Sequence, residues 1–588
     1  MIGRRNDSPV VSTRSPCGLD LGPNAQTFVA LEGSAKQSME TGKTRLMVAA
    51  LVFFFAFSAI GIRLFDLAVL TQGNEPRLAD TSADAPLETG RADIVDRNGA
   101  ILATTLPAWS LYANPRQILE PKQAASQVAS VLPELSASGL AARLGADRSF
   151  VWLKRNLTPR QQNDINALGI PGLYFLREQT RVYPHGPLAA HIVGFNDIDN
   201  RGLAGIEKSF DDLLRGANKP LELSIDIRVQ HILTQELQSA MQEFQGIGAA
   251  GIVMDARTGE LIAMASLPSF DPSAPGEATK EARFNRATLG VYEVGSVFKI
   301  FTTAMALDAG AVTLESGYDA SKPIRVARFT INDFHPKNRW LSIPEIFMYS
   351  SNIGSVHMAM DVGTQGQQRF LNDLGLLRAA SLELPEVGQP MVPSTWREIN
   401  TMTIAYGHGI AVTPLQVARA MGAVVNGGEL LPPTLLKRFP DETVPGRRVM
   451  SQGTSEQMRW LTRLVVQHGT GRKADAPGYL VGGKTGTADK LKPSGGYDDD
   501  ARIASFLAGF PMDDPRYVVF AMVDEPKPTE ATFGYATGGW VAAPVIGKVV
   551  ERIAPILGVT PRPVEEPEVV DNALLVPAHL KGPPLAAN

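Results

Sequence analysis

A serine and a lysine, Ser296 and Lys299, interrupt an otherwise apolar stretch of the sequence, "YEVGSVFKIFT" at 292–302. The break at 293–295 places Ser296 at a helix N-terminus, where free N–H groups and the helix dipole favour negative charge on its oxygen. Lys299 follows one turn later on the same face, and its apolar neighbours predict a lowered amine pKa. The pair predicts serine–lysine chemistry, in which an uncharged amine takes the proton of a nucleophilic hydroxyl.

This S-x-x-K pattern is a weak signal when taken alone, because a chance serine with a snorkelling lysine occurs on many helices. Lys299 is, however, the only lysine in the chain with a serine three residues before it. Two further polar clusters lie downstream, and the catalytic interpretation depends on all three together.

The second cluster is "YSSNIG", with Ser350 and Asn352 two residues apart. It follows a short helix whose start is predicted by the capping box of Ser342 and Glu345, with Pro344 in the first turn. A loop serine and asparagine bring a hydroxyl and a carboxamide to one point. A helix N-cap favours the same residue types and is the alternative.

The third cluster is "VGGKTGTA", which contains Lys484, Thr485, Gly486 and Thr487. Glycines in a strand allow another backbone to come close. The strand edge is therefore a candidate for binding an extended peptide by β-augmentation, with Lys484 taking its terminal carboxylate. A nucleotide-binding P-loop does not fit, because the required glycine spacing is missing. A glycine-rich hairpin with solvated polar residues is the plain alternative.

The order S-x-x-K, S-x-N, K-T-G resembles the penicillin-recognising serine transferases, which share this motif triplet. In that family the motifs line one cleft between an all-α part and a five-stranded antiparallel sheet flanked by helices. The resemblance implies that Ser296 attacks the D-Ala–D-Ala carbonyl of a peptidoglycan stem peptide, and that Lys299 accepts its proton. It also implies that Ser350 relays a proton to the leaving group, and that Asn352 orients Lys299 and the substrate amide.

The resemblance further implies how the substrate is held. Lys484 and Thr485, with Gly486 and Thr487 beside them, would bind the substrate carboxylate. The backbone N–H groups of Ser296 and Thr487 would form the oxyanion hole, where one donor contributes roughly 3–4 kcal/mol in other serine enzymes. This chemistry needs no cofactor and no metal, and the sequence has no Cys/His cluster with zinc spacing.

Motifs in the N-terminal half indicate which class of this family the chain resembles. "RADIVDRNGAILA", "RVYPHGPLAAHIVGF" and "RGLAGIEKSFDDLLRG" look like the pedestal motifs of class B penicillin-binding proteins. We interpret their polar residues as a structural ion-pair network. The motif positions are Arg91, Asp96, Arg97, Arg181, Tyr183, Gly202 and Glu207. Val294 and Ala92 depart from common family residues, and a negative φ at each position would tolerate the change.

"SSNIG", "KTGTA" and "IASFLAGFPMDDPRYVVFAMVDEP" look like the division branch of class B, the FtsI type. The implied partners are an FtsW-type membrane glycosyltransferase, other division proteins and β-lactam antibiotics. The alternatives are an elongation-type transpeptidase, a β-lactamase or D,D-carboxypeptidase of the same fold, and a non-catalytic β-lactam sensor or division scaffold. In "AYGHGIAVTPLQVARA", Thr413 and Pro414 open a helix, and His408 is taken as a structural histidine.

Residues 46–62 form an uncharged apolar run that reaches membrane-spanning length if it extends to residue 70. Basic residues precede the run and acidic residues follow it, which by the positive-inside rule places the N-terminus in the cytoplasm. We predict a single-pass anchor in the bacterial inner membrane, with the catalytic domain in the periplasm at the division septum. A buried core helix or a cleaved signal peptide is the alternative, although no A-x-A cleavage site follows the run.

Bulk composition fits a multidomain globular protein of 588 residues. The net charge of −4 argues against nucleic acid as a main partner.

Local patterns predict the main helices and strands. Runs at 248–267 and 502–525 predict strand pairs, and 116–170 shows helical periodicity. Ser224 is predicted to cap a helix over 226–244. The predicted fold is α+β, with an elongated α+β pedestal before the catalytic domain. The predicted segments are a disordered cytoplasmic tail (1–45), the anchor (46–70), a stalk (71–89), the pedestal (90–224), the transpeptidase domain (225–558) and a proline-rich disordered tail (559–588).

Overall fold

The structure is a computed structural model in which the chain forms two compact units, Met1–Pro86 and Leu87–Asn588. The predicted stalk, most of the predicted N-terminal tail and residues 563–588 of the predicted C-terminal tail lie outside the described residues. The structure describes residues 34–65, 90–217, 219–326, 329–439, 442–492 and 496–562.

The described part of the first unit is one helix, α1, at Ser34–Phe65. It begins before the apolar run at 46–62 and contains all of it. The end of the predicted anchor, 66–70, lies outside the described residues. No helix within the described ranges combines the length and the apolar character needed to cross a membrane.

The predicted pedestal segment has one sheet in which the strands follow the order β3-β2-β1-β5, and β4 also pairs with β2. β1 and β2 form a hairpin across Asn98-Gly99, where Gly99 has a φ of +86°. The elements are strand β1 Ile94–Val95, strand β2 Ile101–Ala113, helix α2 Pro121–Val131, helix α3 Ala137–Leu144, strand β3 Val151–Leu157, helix α4 Pro159–Ala167, strand β4 Leu173–Val182, helix α5 Ala190–Val193, helix α6 Gly205–Ser209, helix α7 Asp211–Gly216 and strand β5 Leu221–Glu222.

The helical periodicity predicted over 116–170 is realised in α2, α3 and α4, but the prediction was wrong for β3. β3 pairs with β2 and turns Leu153 and Leu157 into the core that the three helices cover. The apolar residues of the short sequence "VWLKRNL" fit the periodicity of a helix and also that of a strand. Its pairing with β2 therefore decides its conformation.

Three of the predicted pedestal residues form a buried ionic cluster. Glu207 accepts hydrogen bonds from Arg91 Nε at 2.5 Å and from Arg181 Nε at 2.7 Å, and all three side chains are at most 1% exposed. Arg91 also contacts Asp211 at 2.6 Å. A Cβ on Gly202 would lie 1.9 Å from the carbonyl oxygen of Glu207, so glycine is required where these segments meet.

The other pedestal residues hold neighbouring segments together. Asp96 accepts the N–H groups of Asn98 and Ala100, each at 2.8 Å, and the N–H of Ile227 at 3.1 Å. Arg97 lies 3.8 Å from Glu260. The Tyr183 hydroxyl donates to the Asn196 side chain at 3.0 Å.

Five strands of the second segment form one sheet of order β14-β15-β16-β6-β7, in which every pair is antiparallel, as predicted. The N-terminal strands thereby share a sheet with the C-terminal ones. The elements are α8 Ile227–Glu243, β6 Gly248–Asp255, β7 Leu261–Leu267, α9 Lys280–Arg283, a 3-10 helix Gly295–Phe298, α10 Lys299–Asp308, β8 Gly317–Asp319, β9 Ile324–Val326, β10 Phe329–Ile331, β11 Trp340–Ser342, α11 Ile343–Tyr349, α12 Asn352–Asp373, α13 Glu398–Ile404, α14 Pro414–Val425, β12 Glu429–Leu430, β13 Arg447–Arg448, α15 Gln452–His468, β14 Gly482–Leu491, β15 Tyr497–Phe510, β16 Tyr517–Asp524 and α16 Ala542–Ile553.

The sheet is buried on both faces, which explains why β6, β7 and β16 are apolar at nearly every position. Alternate residues of β6 pack against α8 and α16 on one side and against α14 on the other. The cap predicted for α8 was wrong. Asp226 accepts the Arg228 N–H at the helix start, while the Ser224 hydroxyl donates to the Leu261 carbonyl.

Helices α10 to α15 belong to the α-helical part beside this sheet. Every residue of α10 except Asp308 is buried, including Lys299. The predicted capping box at Ser342 and Glu345 opens α11, and another at Thr413 opens α14.

Candidate active site

A cleft of about 550 Å³ brings the three sequence motifs together. One wall is β14, the edge strand of the large sheet, and the opposite wall is formed by the turns around α10, α11 and α12. The motif residues that line the cleft are Ser296, Ser350, Asn352, Thr485 and Thr487. Other lining residues are Tyr349, Tyr406, His408, Thr470, Asp489 and Trp540.

Ser296 lies in the 3-10 helix Gly295–Phe298, which runs directly into α10, and its side chain is half-buried. Gly295 before it has a φ of +54°, and a Cβ there would lie 2.3 Å from the carbonyl oxygen of Thr487. Only glycine allows this approach of two backbones. Val294 has a φ of −96°, and Ala92 is not among the residues with positive φ, so both departures from the family pattern are accommodated.

Lys299 is 1% exposed, and its Nζ lies within hydrogen-bond distance of three oxygen atoms. Its Nζ lies 2.5 Å from the Ser350 carbonyl oxygen, 3.1 Å from Ser350 Oγ and 2.6 Å from Asn352 Oδ1. Burial lowers the pKa of Lys299 well below its ordinary value, and the charge of Lys484 lowers it further, while Asp333 opposes the shift. This shift favours the uncharged amine, which is the form that can accept a proton.

Lys484 is fully buried on β14 and donates to Ser350 Oγ at 2.9 Å. Burial lowers its pKa from 10.5 to about 7. The Ser350 hydroxyl thus lies between two buried amines, one from α10 and one from the sheet edge. Segments far apart in the sequence converge on a single oxygen atom.

The second motif serves two purposes. Ser350 ends α11 in the left-handed region, with a φ of +61°, which turns its hydroxyl towards both lysines. Ser351 caps α12 by accepting the Gly354 N–H, and Asn352 is the first residue of that helix. The N-cap alternative is therefore correct for Ser351, while its two neighbours contact Lys299.

Asp333 is a site residue that the sequence reasoning missed. Its carboxylate accepts the Ser351 hydroxyl at 2.7 Å and the N–H groups of Asn352 and Ile353 at 2.6 and 3.0 Å. An anion at a helix N-terminus is favourable. The Asp333 carboxylate fixes the backbone of Asn352, whose side chain accepts a hydrogen bond from Lys299. Asp333 lies in an irregular loop, so no periodicity or spacing pointed to it.

The third motif closes the cleft along β14. Thr485 Oγ1 and Thr470 Oγ1 lie 2.8 Å apart, and Thr487 Oγ1 accepts the Gly538 N–H at 3.0 Å. A Cβ on Gly486 would lie 2.3 Å from the Val294 carbonyl oxygen. The strand therefore packs directly against the turn that carries Ser296, and the backbones of the two predicted oxyanion-hole residues are adjacent.

The structure joins Lys299, Ser350, Asn352 and Lys484 in one hydrogen-bonded network. Ser296 lines the same cleft, but among the described residues no hydrogen bond joins its Oγ to Lys299. Hydrogen bonds in catalytic sites often form only when substrate is bound.

Comparison with known proteins places the chain in a family. The model of the penicillin-binding protein dimerisation domain matches residues 86–240, and that of the penicillin binding protein transpeptidase domain matches residues 249–551. The chain therefore belongs to the penicillin-binding proteins, with a dimerisation domain followed by a transpeptidase domain.

Individual relatives agree with this assignment. The chain is 40% identical to a probable peptidoglycan D,D-transpeptidase FtsI of Caulobacter vibrioides, over 90% of this chain and 92% of the relative. It is 32% identical to a probable peptidoglycan D,D-transpeptidase PenA of Neisseria meningitidis, over 88% and 93%. A crystal structure of penicillin binding protein 3 from Mycobacterium tuberculosis, complexed with aztreonam, aligns with a TM-score of 0.63 at 26% identity, over 81% of this chain and 97% of that chain. The predicted family resemblance and fold are confirmed.

Proposed function

We propose that this protein is a serine D,D-transpeptidase that cross-links peptidoglycan stem peptides during septal cell-wall synthesis. The observation that carries the proposal is the network around Ser350, where two buried amines with lowered pKa values contact one hydroxyl beside Ser296. A buried helix that only needed to pack would gain nothing from a lysine, because removing an amine from water is costly. The similarity to proteins named D,D-transpeptidase supports the same activity.

In the first half-reaction, uncharged Lys299 accepts the proton of Ser296 as Oγ attacks the penultimate D-alanyl carbonyl. The backbone N–H groups of Ser296 and Thr487 stabilise the oxyanion, a contribution that costs about 10²–10³ in rate when one donor is removed. The proton passes through Ser350 to the nitrogen of the leaving D-alanine. The products are free D-alanine and an ester on Ser296.

β14 and Asn352 orient the substrate. The edge strand presents backbone groups to an extended peptide, and Lys484, Thr485 and Thr487 bind the terminal carboxylate. Asn352 holds the substrate amide while its Oδ1 accepts from Lys299. In the second half-reaction an acceptor amine attacks the ester and forms the cross-link.

We further propose that the protein is anchored in the inner membrane by residues 46–70 and acts in the periplasm at the division septum. The apolar run and its charge asymmetry support this location, as does the relative named FtsI. An FtsW-type glycosyltransferase and other division proteins are the expected partners, and β-lactams are expected to acylate Ser296.

Labelling with benzylpenicillin tests the activity. Full-length protein in detergent should gain the mass of one penicilloyl group, located on the peptide that contains Ser296, and Ser296→Ala should gain none. Stable labelling distinguishes a transpeptidase from a β-lactamase, which would release the group quickly. An adduct on another residue, or equal labelling of the variant, would overturn the proposal.

A further inference from the structure

His408 lines the same cleft as Ser296, in a turn that no catalytic motif includes. It lines the cleft with Tyr406, and its side chain is 24% exposed. Gly407 between them has a φ of +85°, and a Cβ there would lie 2.0 Å from the Gly295 carbonyl oxygen. The backbone of this turn therefore packs directly against the residue that precedes the nucleophile.

The nearly buried carboxyl group of Glu293 contacts this turn. Its side chain is 9% exposed and lies 3.5 Å from His408 Nδ1. It also accepts the Gly409 N–H at 2.9 Å and the Tyr497 hydroxyl at 3.1 Å. One carboxylate thus links the segment before Ser296, the histidine turn and the start of β15.

Glu293 lies 3.5 Å from Nδ1 of the imidazole. In the neutral tautomer that carries its proton on Nδ1, Nε2 is unprotonated and can accept a proton. Nε2 makes no hydrogen bond with any of the residues described. By contrast, Lys299 and Lys484 both already contact the Ser350 hydroxyl. His408 is thus a cleft-lining base that is not engaged by the motif network.

Resting on the transpeptidase activity proposed above, we propose that His408 accepts the proton of the nucleophile that attacks the Ser296 ester, and that Glu293 is its positioning residue. The nucleophile is an uncharged amine or water. Its nitrogen or oxygen bonds to the acyl carbon, and its proton moves to His408 Nε2. The ester C–O bond then breaks, and the same proton is delivered to Ser296 Oγ, so serine and histidine return to their starting forms.

The charged and titratable groups around His408 favour the neutral ring. Burial lowers the pKa of His408 below its ordinary value of 6.5, and any positive charge on Lys299 of α10 lowers it further. Burial also raises the pKa of the neighbouring Glu293. Asp489 on β14 opposes the shift, and that carboxylate is paired with Arg502 at 2.9 Å. Tyr406 and Tyr497 pack against the ring at 5.2 and 5.4 Å between centroids, and burial raises the pKa of both phenols, so they stay uncharged.

A two-step assay on the full-length protein tests this role. With enzyme in excess over a D-alanyl thioester, thiol release measures acylation, and intact-mass spectrometry follows decay of the acyl-enzyme, first in water and then with glycine as acceptor. His408→Gln should acylate at the normal rate, whereas both decay rates fall about 100-fold, the size of a general-base contribution. In the parent enzyme, the water-dependent decay should decline as pH falls below 6.5, and the variant should lose this dependence.

Two further variants isolate the mechanism. Glu293→Gln should slow the decay of the acyl-enzyme more than it slows acylation, because the carboxyl group 3.5 Å from Nδ1 positions the imidazole. His231→Gln removes an exposed histidine on α8 that does not line the cleft, and it should leave the decay profile unchanged. If His408→Gln slows acylation and decay in equal proportion, or retains the pH inflection, His408 is structural and the proposal is overturned. If the parent enzyme is never acylated on Ser296, the transpeptidase proposal itself fails, which is a distinct result.

Discussion

The strength of the Asp333 contacts allows a quantitative prediction for Asp333→Asn. Three donors contact this carboxylate: the Ser351 hydroxyl and the N–H groups of Asn352 and Ile353. A hydrogen bond to a charged group contributes about 1.5–3 kcal/mol, against about 0.5–1.5 kcal/mol for a neutral pair. The asparagine keeps one carbonyl oxygen but loses the charge, so we expect the free energy of unfolding to fall by about 2–3 kcal/mol.

The same substitution should also slow the chemistry. Asp333 fixes the start of α12, and Asn352 on that helix accepts a hydrogen bond from Lys299 at 2.6 Å. Small displacements of positioning groups lower rates by up to about 100-fold. We expect acylation by fluorescent penicillin to become about 10-fold to 100-fold slower, measured as a second-order rate constant at a temperature where the variant is fully folded.

Asp308→Asn is the matched control. Asp308 Oδ1 accepts the Ser451 N–H at 2.7 Å and the Thr454 hydroxyl at 2.9 Å at the start of α15, and it does not line the cleft. This variant should lose comparable stability in urea unfolding but acylate at the normal rate. If both variants acylate equally fast, helix capping by Asp333 does not position the site, and the reasoning is refuted.

Two further predictions concern buried charges. Burial lowers the pKa of Lys484 from 10.5 to about 7. Between these two pH values the amine is protonated in the unfolded chain but not in the folded chain. The free energy of unfolding therefore rises with pH over this range. Lys484→Met removes this pH dependence. In urea unfolding from pH 7.5 to 9.5, the free energy of unfolding of the variant should therefore fall behind that of the parent by about 1.4 kcal/mol per pH unit. If the difference between the two proteins does not change with pH, the lowered Lys484 pKa is contradicted. Arg91→Met leaves Glu207 and Asp211 underpaired and should cost about 3–5 kcal/mol, whereas penicillin acylation of the folded fraction stays normal; a loss below about 1 kcal/mol would show that the cluster is not structural.

The sheet could be predicted from the sequence because its strands are buried on both faces. Such strands are continuous apolar runs with clear ends, so β6, β7, β15 and β16 were recognisable. β3 was not, because its seven residues fit two periodicities and only its pairing with β2 separates them. Ser224 and Asp226 are both good capping residues, and tertiary contacts of Ser224 with Leu261 decide between them.

The motif part of the site could also be predicted, because nucleophile, base and carboxylate-binding residues must recur at short local spacings. Asp333 and Glu293 could not. Each acts on residues in other segments of the chain, and no local pattern marks a carboxylate whose partners are brought to it by folding. His408 was taken as structural from sequence, since only the folded chain places its turn against Gly295.

The pairing of β6 with β16 means that the domain is completed late in synthesis. Asp255 of β6 is opposite Tyr517 of β16, and the chain between them must be made before the two strands can meet. At about 5–20 residues per second this takes tens of seconds, during which β6 has an unpaired apolar edge of the kind that aggregates. A newborn chain therefore has to be kept apart from its neighbours until β16 has emerged and paired with β6.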